Sequence, residues 1–333
     1  MDHRPTFPTD AWYVIASSDD VGRSPLARRV LDQPIVVYRD SRGDAVALHD
    51  RCVHRPYPLS LGHVEGDDLV ARYTGFVYGP DGVVKSVPTQ SQVPMGAKVR
   101  AYPVVESDGF CWVWMGRPQI AGRRRVPSAP WLTDDQWCTF GDTQTIAAEG
   151  QFLQDNLADI THITHVDNLI SPPVLADAPP PIEVEVTETQ VHFSRDFDAA
   201  PVQPWQAEVL EVPVDSHHVQ REEGLFDSPG LWVDRWHIDV EGVRQTLIFT
   251  HAITPVTGRT TEHRWRVSRS FATGPAATGT MRPIFTRYYR QVAEELEVMQ
   301  TVVDTDGVTR EVNTQADSAI LQVRRIMRHL AEG

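Results

Sequence analysis

Alternation of apolar and polar residues runs through most of this chain, in two textures. Between residues 10 and 120 the apolar runs are short and separated by turn residues: PIVVYRD, the turn SRGD, then AVALHD, and later LVARYTGFVYGPDGVVKSV and GFCWVWMG. Short β-runs punctuated by Gly, Pro and Asp predict an all-β domain. RRRVPSAPWLTDDQ reads as a connector. Over residues 148–166 the period turns helical, with Phe152, Ile160, Ile163 and Val166 marking a buried stripe. SPPVLADAPPP breaks the chain, and long strands follow in IEVEVTETQVHFSRDF, LWVDRWHIDVEG, RQTLIFTHAITP and TEHRWRVSRSF. FATGPAATGT reads as a loop of small residues, and two helices over residues 283–303 and 314–330 close the chain. The pattern predicts an all-β domain over 1–140 and, over 141–333, an antiparallel sheet with helices packed on it, an α+β arrangement.

Composition narrows the partners. The chain of 333 residues, 41% hydrophobic and 23% charged, is long enough for two cores. Lys and Arg number 31 against 45 Asp and Glu, a formal charge of −14. Such a surface repels nucleic-acid backbones and anionic lipid, so neither nucleic acid nor membrane is an expected partner; the acidity itself reads as solubility. Cys52, Cys111 and Cys138 do not make a disulfide framework. With no signal-peptide pattern at MDHRPTFPTDAWYV and no apolar run of spanning length, a cytoplasmic protein is expected.

CVHRPYPLSLG at residues 52–62 places a Cys and a His two positions apart in a loop, and ARYTGFVYGPDG follows at 71–82. Together with WYVIASSDDVG, SPLARRVLDQPIVVYRD and AYPVVESDGFCWVWMG, these segments resemble the Rieske domains of Rieske non-heme iron oxygenases, in the alpha subunits of the aromatic-ring-hydroxylating and O-demethylase type. The resemblance covers essentially the whole chain. In that family a C-x-H loop and a C-x-x-H loop hold a [2Fe–2S] cluster, two thiolates on one iron and two imidazoles on the other. Cys52 and His54 stand at the first pair of positions, Ala71 and Thr74 at the second. A methyl group and a neutral hydroxyl leave each iron short of one ligand. The expectation is therefore a degenerate member with no [2Fe–2S] cluster, in which Cys52 and His54 are vestigial packing residues. Cys111, in an alternating strand, is expected in the core.

DNLADITHITHVDN at residues 155–168 resembles the family's mononuclear iron motif, N/D-x-x-D-x-x-H-x4-H, completed by a carboxylate from a later helix. Asn156, Asp159 and His162 fall on the pattern, Asp167 takes the second histidine's position, and His165 lies nearby. Glu295 matches the late carboxylate, and helical spacing places it with Val292, Leu296 and Met299 on one face, where a buried acid needs a partner. Two ligand sets stay open: His162, Asp167 and Glu295, or His162, His165 and Glu295, with one divalent ion, Fe2+ or Zn2+, as the candidate occupant. The resemblance implies that Asp159 bridges toward a cluster histidine of a neighbouring subunit; with Thr74 at that position, Asp159 is expected to orient His162 or act as a base. His251, in a strand that lines the substrate pocket of the O-demethylase branch, is expected to contact substrate or move a proton. His237 and His263 read as half-buried strand residues, and His217 and His218 as a solvated loop.

The resemblance also implies a helix-grip (START-like) catalytic domain with a deep apolar cavity and a homotrimer. Three functions follow, in order of expectation. The first is non-redox chemistry (hydrolysis, elimination or rearrangement) on a small cyclic or aromatic compound, through Asp159, His162 and His251 or a Lewis-acid metal. The second is an oxygenase, an O- or N-demethylase or hydroxylase, fed electrons by a reductase or other partner. The third is a non-catalytic subunit of a larger oxygenase.

Overall fold

A computed structural model describes residues 7–166, 169–170, 180–307 and 311–332. The chain forms two compact units, Thr9–Ser128 and the remainder from Ala129 onward with Phe7 and Pro8.

The first unit is all β. Its strands are β1 (Trp12–Ser17), β2 (Leu26–Val30), β3 (Gln33–Arg39), β4 (Ala45–His49), β5 (His63–Glu65), β6 (Asp68–Val70), β7 (Val77–Tyr78), β8 (Val84–Ser86), β9 (Ala101–Tyr102), β10 (Val104–Ser107) and β11 (Phe110–Trp114). They pair as three sheets, β1-β11-β10, β2-β3-β4-β9 and β5-β6-β7-β8. Asp108 and Gly109, both at positive φ, join β10 to β11 in the mirror-image turn that suits the right-handed twist of a hairpin. Cys111 is buried in β11, as its alternating strand predicts. Cys52 and Ala71 belong to one buried cluster with Val36, Leu59 and Tyr78.

The second unit carries a seven-stranded antiparallel sheet. Its strands are β12 (Cys138–Ile146), β13 (Glu183–Val186), β14 (Val191–Pro201), β15 (His217–Ser228), β16 (Leu231–Val240), β17 (Val243–Thr257) and β18 (Thr260–Arg269). The spatial order is β12-β18-β17-β16-β15-β14-β13. Helices α1 (Gly150–Ala158), α2 (Ile163–Val166), α3 (Pro204–Leu210), α4 (Pro275–Asp306) and α5 (Ser318–Glu332) complete the unit. The 32 residues of α4 make a rod about 48 Å long. Its buried face, Met281, Phe285, Tyr288, Tyr289, Val292, Ala293, Leu296 and Gln300, packs into the same core as Phe193, Trp232, Phe249 and Trp265 of the sheet. Gly224 is needed there: a Cβ on it would sit 2.1 Å from the Phe193 ring on the neighbouring strand.

Three sequence expectations change. The helix over 148–166 is two helices, because the Asp159 carboxylate accepts hydrogen bonds from the Thr161 N–H and hydroxyl at 2.8 Å, a local turn that competes with the helix. The small-residue stretch before 283 is already helix: Pro275 starts α4, where its missing N–H costs nothing and its fixed φ is already helical. His217 and His218 begin β15 rather than a loop, and alternation buries His218 while His217 stays exposed. Among the described residues no helix is long and apolar enough to cross a membrane.

Candidate functional site

In the first unit the Cys52 thiol sits between two hydroxyls. Tyr78 donates to its Sγ at 3.2 Å, and Thr74 Oγ1 lies 3.4 Å away. The same Tyr78 oxygen accepts the Val53 N–H at 3.1 Å. Burial alone would push the Cys52 thiol up; the Thr74 and Tyr78 hydroxyls, with nearby backbone N–H groups of Arg55 and His54, outweigh it and hold the thiol below its ordinary range. His54 stacks on Phe76 with ring centroids 5.1 Å apart. Gly75, at φ +68°, closes the second loop by donating its N–H to the Ala71 carbonyl at 2.8 Å. The cluster positions of the sequence thus lie together, Cys52 and His54 on one loop and Ala71 and Thr74 on the other. Of the four side chains, Cys52 and His54 are those able to ligate iron.

In the second unit α1, α2, α4 and the sheet enclose a cavity of about 40 Å³. Asp159 and His162 reach it from the α1–α2 break, Tyr288 and Phe285 from α4, and Glu222, Asp234 and His251 from the sheet. Nε2 of His162 lies 2.9 Å from the Tyr288 hydroxyl. Burial lowers the His162 pKa, and Asp159 opposes that shift, so the ring is held neutral.

Cross-strand register explains the polar wall. Arg195 of β14 stands opposite Glu222 of β15, which stands opposite Trp236 of β16, so all three share one face. Asp234, two residues before Trp236, is on that face too. Arg195 Nη1 lies 3.7 Å from Glu222 Oε2, and Nη2 donates to the Ala158 carbonyl at the end of α1. Burial pushes both Glu222 and Asp234 up to about 7, against the pull of Arg195.

A chain of buried groups ends on Asp234. The Gln144 amide donates to the Tyr289 carbonyl at 3.0 Å, which fixes its orientation, and it lies 3.3 Å from His263 Nδ1. An amide N–H can only donate, so His263 Nδ1 accepts and its Nε2 carries the proton. That proton is shared with His251 Nδ1, 2.9 Å away, which leaves the N–H of His251 on Nε2, 3.4 Å from Asp234 Oδ2. Trp232 donates to the other oxygen, Oδ1, at 2.7 Å. Burial depresses His251 to about 3 and holds His263 well below its ordinary value, so both rings stay neutral.

The sequence-derived metal set does not assemble among the described residues. His162 is on the cavity. His165 is exposed on α2, and Glu295 is exposed on α4, about a quarter-turn from the centre of the helix's buried face. Asp167 lies outside the described residues. Among the described residues no three His, Cys, Asp or Glu side chains gather as a metal-binding group. Asp234, Glu222 and Tyr288 were not singled out from the sequence. For Asp234 the signal was parity, since it alternates in step with Trp232 and Trp236 and so had to face the core; for Tyr288 it was helical spacing with Phe285 and Val292 on α4.

A larger groove of about 460 Å³ lies near Phe7, Gly150, Ile253 and Met327. It holds none of the motif residues. We place the candidate site at the smaller cavity, where buried carboxylates and histidines converge.

Comparison with known proteins shows the family. Residues 146–333 match the vanillate O-demethylase oxygenase C-terminal domain, and residues 11–103 match the Rieske [2Fe-2S] domain. The chain belongs to the Rieske oxygenases, in the vanillate O-demethylase oxygenase family. It is 28% identical over 346 residues to a vanillate O-demethylase oxygenase subunit of a Pseudomonas species, covering 96% of this chain and 94% of that one. It is 33% identical over 185 residues to the iron–sulfur subunit of a toluene-4-sulfonate monooxygenase system of Comamonas testosteroni, covering 55% of this chain and about half, 53%, of the relative. The crystal structure of dicamba monooxygenase bound to 3,6-dichlorosalicylic acid shares the fold, with a TM-score of 0.91 at 24% identity over 98% of both chains.

The match to the Rieske domain model corrects the expectation of a chain without a [2Fe–2S] cluster. That expectation counted ligands one position at a time, whereas residues 11–103 match the cluster-bearing domain as a whole. Ala71 and Thr74 offer no thiolate or imidazole, so the loop pair does not supply the usual four-residue set.

Proposed function

We propose that this chain is the oxygenase component of a multi-component system that oxidises a small aromatic compound, by O-demethylation or hydroxylation, with electrons supplied by a partner reductase. The observation that carries the reading is the match of the cavity-bearing unit to the vanillate O-demethylase oxygenase domain. The family relationship favours this reading over the non-redox chemistry expected first from the sequence. An aryl methyl ether, dioxygen, two electrons and two protons would give the phenol, formaldehyde and water, the electrons and protons coming from NADH and one solvent proton.

In this reading the chain's own residues bind the ring and manage protons. Ile160, Ile163, Phe249 and Phe285 supply the apolar walls that exclude water. The Tyr288 hydroxyl orients His162. The ordered donors from Gln144 through His263 and His251 hold Asp234 in place at the opposite wall. At about 40 Å³ the cavity has room for water rather than a ring, so entry of a ring requires lining side chains to swing aside. A homotrimer, as the family resemblance implies, is part of the proposal.

The test is turnover of a panel of aryl methyl ethers with and without oxygen, NADH and an added reductase, scored by formaldehyde release. The proposal expects release only when all three are present. Undiminished conversion under anaerobic conditions without reductant would overturn it in favour of non-redox chemistry.

A further inference from the structure

The cavity beside His162 has a lopsided lining. Among its described residues are three carboxylates, Asp159, Glu222 and Asp234, and no lysine or arginine. Two of these acids are already engaged in different ways. Asp159 is capped by the Thr161 N–H and hydroxyl. Asp234 receives Trp232 on one oxygen and faces the His251 N–H on the other. Glu222 keeps a buried oxygen, Oε2, without a hydrogen bond. The nearest cation, Arg195, is buried behind the wall: Nη2 is spent on the Ala158 carbonyl, and Nη1 lies 3.7 Å from Glu222 Oε2, an ion pair without a hydrogen bond.

A buried acceptor left unsatisfied costs about 1–3 kcal/mol, more when it is charged. A ligand that brings an N–H or O–H to this wall removes that cost, and a cation adds attraction in a low-dielectric site. A ligand carboxylate or sulfonate does the opposite, because it sets a fourth acid beside three that share one arginine.

We propose that this cavity selects neutral or cationic aromatic substrates bearing a hydrogen-bond donor, such as phenols, benzylic alcohols or amines, and discriminates against aromatic acids. The donor docks on Glu222 beside the charge of Asp234, and the ring lies against Phe249 and Phe285. The inference rests on the reading of this cavity as the substrate site.

The test uses three ring-matched probes, methoxybenzylamine, methoxybenzyl alcohol and methoxybenzoate, titrated calorimetrically into the full-length protein at pH 8. The amine and the alcohol are expected to bind at least tenfold more tightly than the benzoate. In Glu222→Gln and Asp234→Asn, each of which preserves shape, the preference is expected to shrink about tenfold, through weaker amine binding and tighter benzoate binding. If benzoate binds as tightly as the amine in the wild type and the two variants shift its affinity, the selectivity is overturned while the cavity stands as the binding site. If the affinities of all three probes are untouched by both variants, the cavity is not the site and the proposal falls with that reading.

Discussion

Cys52 and Asp234 are both buried acids, one in each unit, and their surroundings drive them in opposite directions. Around Cys52 the donors outnumber the need: Tyr78, Thr74 and neighbouring backbone N–H groups converge on one sulfur, and the thiol is held below its ordinary range despite burial. Around Asp234 burial wins over the Trp232 hydrogen bond and Arg195, and the carboxyl is pushed up to about 7. Desolvation acts on both, far more deeply at Asp234, and the balance between it and the converging donors decides the sign. A self-satisfied group has little left to offer a ligand. A buried acid held near neutral pH, beside a Glu222 oxygen with no hydrogen bond, retains capacity that a substrate can use.

The largest expected effect breaks the comparison at its functional side. His162→Ala should lower oxygen-dependent turnover on the order of a hundredfold or more, with circular dichroism and Tm preserved, because His162 is the motif histidine that reaches the cavity. His165→Ala and Glu295→Ala should change turnover less than about threefold, since exposed substitutions away from a site rarely matter. A collapse of activity in Glu295→Ala would show that α4 turns that acid inward in the working enzyme.

A second prediction concerns pH. The folded value of Asp234, about 7, lies above its ordinary value of 3.8. Between those two values the folded chain keeps a proton that the unfolded chain has lost, so this group's stabilisation is full at low pH and is lost as pH rises toward 7. Asp234→Asn keeps the acceptor for Trp232, turns its amide N–H toward the His251 N–H at a cost independent of pH, and removes the titration. Its stability relative to the wild type should rise by on the order of 3 kcal/mol between pH 5 and pH 8, as read by urea denaturation. A gain independent of pH would mean that Asp234 is not the titrating group.

The smallest expected effect sharpens the other side. Tyr78→Phe removes the donor to Cys52 and strands the Val53 N–H, at a cost of about 1–2 kcal/mol in the same denaturation experiment. Unchanged stability would show that the thiol does not depend on this hydroxyl.

Much of this architecture was legible in the pattern of residues. Alternation located the long strands of the second sheet, because half-buried antiparallel strands must alternate. The break at Asp159 was not legible from period alone, since the apolar stripe from Phe152 to Val166 continues across it; only the capture of Thr161 by the carboxylate ends the helix. Helical spacing groups Glu295 with Val292, Leu296 and Met299, while the packing of Phe285, Tyr288 and Leu296 centres the buried face of α4 about a quarter-turn away and leaves Glu295 and Met299 exposed. His162 and His251 were found as motif and strand residues, while the donor order that makes His251 a donor to Asp234 needed the Gln144 amide, more than a hundred residues away.

The most direct test is a crystal structure of the full chain soaked with methoxybenzylamine. The account predicts the ring against Phe249 and Phe285 beside His162, with the ammonium in hydrogen-bond contact, about 3 Å, with Glu222 or Asp234. A ring found instead in the larger groove near Phe7 and Met327, with the His162 cavity unchanged, would contradict it.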